Sequence, residues 1–257
     1  MVSLLLVLNQ GQGWGWGSVR TLALALVAAG TLGVFVWLEG RRANPMLDLS
    51  LFRKRTFSFS VISALLNYMS TYSIIFLLPF YFIQGRGFQP AQAGLILTAQ
   101  PLVMALVAPL SGSLSDRFSP RWLATGGMAI MTLGLWMLSQ AGAQTSVQTI
   151  VIALLVTGLG TGVFISPNTN VLLGSAPRNR QGIASGILAT ARNVGMVLGV
   201  GLAGAIFLTV QGHGELTSNP TLLFQAIRTS FLVSFSLAAL GIVTSYLRSS
   251  GAEEDLG

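Results

Sequence analysis

Apolar positions dominate this chain in long unbroken runs, and polar residues collect in short connectors between them. Seven runs stand out, at about 21–38, 57–83, 91–112, 122–140, 147–173, 183–210 and 226–247. At about 1.5 Å per helical residue, each comes close to or exceeds the length that crosses a bilayer's hydrocarbon core. The connectors GRGFQP, SPR, GAQTS, SAPRNRQG and GHGELTSNP carry the Gly, Pro and small polar residues that interrupt helices. A transmembrane barrel would instead alternate apolar and polar positions in segments of roughly ten residues. The pattern therefore predicts an all-α, polytopic transmembrane helix bundle. The opening stretch MVSLLLVL is too short to span and reads as the outer end of a helix whose inner part is missing.

Composition sharpens this picture. Only 8% of residues are charged and the mean hydropathy is +0.71, against about a quarter charged in an ordinary soluble domain. The net charge of +7 does not point to nucleic acid, because the basic residues sit at the ends of apolar runs rather than on a soluble face. Arg41, Arg42, Arg53, Lys54, Arg55, Arg117, Arg121, Arg178, Arg180 and Arg248 fall on one side of the predicted topology. Arg20, Arg86 and Arg228 fall on the other. Basic residues near span ends stay cytoplasmic, so the Arg-rich side and the tail GAEEDLG are expected in the cytoplasm of an inner-membrane protein. The chain has no cysteine, which removes disulfides, thiol nucleophiles and cysteine metal sites.

Polar groups inside the spans are the candidates for chemistry. Arg192 is the one charge well inside a run. Burying it in lipid costs at least about 2.5 kcal/mol unless it finds a partner, a cavity or the headgroup region. Asn67, Gln100, Asn168 and Asn170 each need a hydrogen bond away from water, as interhelical glue or as cavity lining. Tyr68, Tyr72, Phe76 and Phe80 fall on one helical face, which could face lipid or hold flat cations. Pro79, Pro101, Pro109 and Pro167 predict kinks, and Gly195 and Gly199, four apart, predict close helix packing. No Asp or Glu lies in any span from Thr21 onward. The lone Lys54 is in a connector, which excludes an intramembrane Schiff base. His213 with Glu215 nearby is too little for a metal or catalytic site. Neither an enzyme, a metal site nor a cofactor is expected.

The connector GSLSDRFSPR holds Gly112, Asp116, Arg117 and Arg121. Its spacing, Gly-x-Leu-x-Asp-Arg-x-x-x-Arg, resembles the cytoplasmic loop motif of the major facilitator superfamily, with Ser119–Pro120 where a Gly and a basic residue are usual. NQGQGWGW, NPMLDLSLFRKRTFS and the stretch from GLGTGVFISPNTN to GVGLAGAIF resemble the fourteen-helix drug:proton antiporters of the EmrB/QacA type. The resemblance implies the C-terminal six-helix half of such a transporter plus one preceding span and a partial helix. The chain divides accordingly: 1–20, a helix end and outer loop; 21–39, a linker span; 40–56, a cytoplasmic loop; 57–248, the transporter half; 249–257, a tail. It implies that Asp116, with Arg117 and Arg121, holds a cytoplasmic gate closed, and it places an Arg at position 192. It implies a lipid bilayer setting, and a small hydrophobic or cationic substrate exchanged for protons once an N-terminal half supplies the acidic residues. The alternative is a seven-span subunit that oligomerises or binds a partner without transporting.

Overall fold

A computed structural model describes residues 49–115, 117–211 and 220–248, with scattered positions between 18 and 34. The chain divides into two compact units, 1–50 and 51–257. In the first, positions such as Ala23, Leu26, Val27 and Val34 are helical and exposed; most of the predicted span 21–38, like the stretches 1–17 and 35–48, lies outside the described residues. His213, Glu215 and the tail 249–257 lie outside them too.

The second unit is helical through most of its described residues. Helix α1 (Arg55–Pro79) continues through a wider turn, Phe80–Gly85. The cause is Pro79, which has no N–H for the carbonyl four residues back and whose ring crowds the preceding turn. Gly87 then adopts φ +70, a left-handed conformation that favours glycine. Helix α2 (Pro90–Leu97) starts on a reciprocal cap between Gln89 and Gln92 and breaks at Thr98, where α3 (Ala99–Ser115) takes over. Pro101 explains the break, since it leaves the Leu97 carbonyl without its helical donor. Helix α4 (Pro120–Ser139) opens with a proline in its first turn. Helix α5 (Val147–Gly174) is capped by the Ser146 side chain. Helices α6 (Gln181–Gln211) and α7 (Pro220–Leu247) complete the bundle.

Six spans among the described residues are long and apolar enough to cross a membrane; each overlaps one of the predicted runs. The most extensive contacts are α4 on α5, α3 on α5, α1 on α6 and α4 on α7. In lipid, such contacts come from close packing rather than from water exclusion. Gly127 of α4 illustrates this: a Cβ there would lie 2.8 Å from the Gly160 carbonyl oxygen, so only glycine lets the two backbones meet. The outer face of the second span is the opposite case. Leu95, Leu102, Leu106 and Leu110 are 61–74% exposed, a stripe suited to lipid or another protein rather than to water.

Candidate functional site

A cavity of about 500 Å³ opens between α1, the broken α2–α3 span, α5 and α6. Tyr68, Thr71, Tyr72 and Ile75 come from α1, Thr98 from the junction, Gln100 and Met104 from α3, Thr161 and Ile165 from α5, and Arg192 from α6. Four sequence candidates therefore meet here: Tyr68, Tyr72, Gln100 and Arg192. The Arg192 guanidinium lies 5.5 Å from the Tyr68 ring centroid, within cation–π range. The Gln100 side chain is only 4% exposed, and its Nε2 has no hydrogen-bond partner. The Thr71 hydroxyl is likewise buried and unpartnered. Buried polar groups left without a partner in this way are costly. Thr71, Thr98, Met104 and Thr161 carry no distinguishing signal in the sequence; the helix break and the α1–α5 packing bring them to the wall.

The aromatic face of α1 divides in two. Tyr68 and Tyr72 reach the cavity, whereas Phe76 and Phe80 stack on each other at 5.1 Å and Phe80 on Phe207 of α6 at 5.0 Å. The second half of that face is half-buried and packs in part against α6.

The other amides lie elsewhere. Asn67 is fully buried between α1 and α4; its Nδ2 donates to the Met131 sulfur at 3.1 Å and its Oδ1 has no partner. Asn170 Nδ2 donates to Ser115 Oγ at 3.1 Å. Asn168 Nδ2 donates to the Ser60 carbonyl at 3.2 Å, and its Oδ1 accepts from Arg248 Nη1 at 2.5 Å. Arg248 Nη2 also donates to the Pro120 carbonyl at 3.2 Å. Arg248 is only 1% exposed, and burial lowers its pKa to about 10, so it stays charged at neutral pH. This side chain thus ties the end of α7 to the start of α4 and to α5. In the sequence it reads as one more basic residue at a span end.

Beside it, Arg121 lies 4.2 Å from the Tyr246 ring centroid and 5.5 Å from that of Trp122. Lys54 Nζ donates to the Ser175 carbonyl at 3.1 Å at the same end. Arg117 is exposed, and Asp116 lies outside the described residues. Gly112 faces Ser166 across the α3–α5 interface, with room for a Cβ at 3.5 Å. On α6, a Cβ at Gly195 would meet the Leu65 carbonyl at 2.8 Å, and one at Gly199 would overlap the Met69 carbonyl. Both glycines press on the α1 backbone.

Comparison with known proteins adds the following. A family model described as Major Facilitator Superfamily matches residues 60–255. The riboflavin transporter RibZ of Clostridioides difficile (strain 630) is 31% identical over 206 residues, covering 80% of this chain and 45% of that protein. The multidrug resistance protein Stp of Mycobacterium tuberculosis (strain ATCC 25618 / H37Rv) is 30% identical over 197 residues, covering 77% and 36%. The lincomycin resistance protein LmrB of Listeria monocytogenes serovar 1/2a is 26% identical over 236 residues, covering 88% and 50%. The chain thus spans half or less of the length of these relatives. Among solved structures, a bacterial homolog to the human lysosomal transporter Spinster, inward-facing and unoccupied, is similar with a TM-score of 0.68 at 17% identity. That likeness covers 99% of this chain and 65% of the other, and it speaks to the fold alone.

Proposed function

Because the chain belongs to the major facilitator superfamily, we propose that it forms one wall of a small-molecule exporter working by alternating access. Relatives named for riboflavin transport, multidrug resistance and lincomycin resistance support membrane transport rather than enzymatic chemistry. The observation that carries the reading is the cavity, bounded by a broken span and furnished with the unpartnered Gln100 amide. Transporters build substrate sites near the bilayer midplane, and the second span, whose helical bonding Pro101 interrupts at Leu97, borders this one. The exposed leucine stripe of the second span and the limited coverage of its relatives favour a complementary set of helices. We assign the chain to the C-terminal half of a fourteen-helix, proton-coupled antiporter. Proton coupling requires a group that titrates within the membrane pathway. None of the seven acidic residues of the sequence falls within an apolar run from Thr21 onward, so we place the coupling acid on the complementary helices.

The test is dye uptake into inverted membrane vesicles containing the full polypeptide that carries these residues, where export from the cell becomes uptake. Accumulation of a fluorescent dye under an imposed inside-acid gradient, abolished when the gradient is collapsed, is the expected result. Absence of accumulation across a panel of dyes and drugs, with the protein correctly inserted, would favour a partner-binding subunit.

A further inference from the structure

We propose that this wall binds a flat apolar ligand through an anionic group, an aromatic carboxylate rather than an aromatic cation. The inference rests on the transporter reading above and departs from the sequence expectation of a cationic substrate. Its basis is charge complementarity. Arg192 is the one formal charge among the described residues of the cavity wall. None of the seven acidic residues of the sequence, at 39, 48, 116, 215 and 253–255, falls within the apolar runs 57–83, 91–112, 147–173 and 183–210 that supply the wall. A guanidinium has five N–H donors and no acceptor, in a fork that matches a carboxylate.

The Tyr68 ring, the natural seat for a cationic ligand, already faces Arg192 at 5.5 Å. A cation there would have to displace the guanidinium or lie beside a like charge. The second polar feature is the Gln100 amide, buried to 4% exposure with an unpartnered Nε2 on the same wall. The rest of the surface fits the body of the ligand: Ile75, Met104 and Ile165 are apolar, and Tyr72 adds a ring. A volume of about 500 Å³ lies within the range of small-molecule sites.

Three isosteric probes decide the matter: 2-naphthoate, neutral 2-naphthamide and cationic 2-naphthylmethylammonium. Their Kd values would be measured by equilibrium dialysis against the full polypeptide in nanodiscs of zwitterionic lipid. The naphthoate should bind at least about tenfold tighter than the cation. Arg192→Gln should erase that ratio, while Arg192→Lys keeps part of it because the charge survives without the fork. Arg192→Lys also gives the second reading should Arg192→Gln fold poorly, a smaller but retained preference for naphthoate being the expected result. Equal or reversed affinities in the wild type, an unchanged ratio in Arg192→Gln, or no binding of any probe would each overturn the proposal. Dye efflux with no carboxylate preference would sink this inference alone. A carboxylate preference without any transport would sink the transporter reading alone.

Discussion

The most heavily committed side chain is Arg248. Its guanidinium is buried, charged, and shared between the Asn168 amide oxygen and the Pro120 carbonyl. Removing one partner from such a group leaves the other unsatisfied at a cost of about 2 kcal/mol. Arg248→Met and Asn168→Ala should each lower the thermal unfolding midpoint in detergent, and the double variant should lose less than the sum of the two. With a pKa of about 10, Arg248 should keep this link unchanged from about pH 5 to 9. Burial penalises the charged form, so that penalty is relieved only as pH rises above about 10. For the neighbouring motif, Asp116→Asn should impair transport and leave membrane insertion intact; normal transport in that variant would remove the gating role. At this scale the sequence was partly legible. Arg192 and Gln100 announce themselves as polar groups in apolar runs. Arg248 does not, because burial at a span end depends on how α7 meets α4 and α5, which no local pattern records.

At the scale of elements, prolines and small residues do the joining. Pro167 has no N–H for the Val163 carbonyl, and that carbonyl accepts from Ser111 Oγ of α3 at 2.7 Å. Ser166 Oγ donates back to the Ala108 carbonyl at 2.7 Å, so α3 and α5 are stapled in both directions. Ser111→Ala should cost about 0.6 kcal/mol, a typical interhelical hydrogen bond in membranes. Pro167→Ala, by restoring an amide to Val163, should reduce that cost in the double variant. The glycines give a sharper contrast. Gly199→Ala should separate α6 from α1 and destabilise by about 1–3 kcal/mol. Gly112→Ala should be near neutral, since Ser166 Cβ would lie at 3.5 Å. Unfolding midpoints for this pair check both statements. The run lengths, and Pro101 as a disturbance in the second span, were legible in the sequence. The division of the α1 aromatic face was not, because it depends on Phe207 arriving from α6.

For the molecule as a whole, the helical class and the six described spans follow from run length alone, because lipid leaves a backbone few ways to satisfy its own hydrogen bonds. The cavity does not follow from any run. It exists because α1, α5, α6 and the break at Thr98 leave a gap that apolar residues border and that Arg192 and Gln100 furnish. Whether substrate passes through that gap is the central question. Substrate counterflow in proteoliposomes answers it most directly, comparing the full polypeptide with a Met104→Trp variant that fills the cavity from α3. The account predicts robust counterflow in the wild type and about tenfold or greater loss in the filled variant, with its unfolding midpoint retained. Undiminished counterflow with the cavity filled would contradict it.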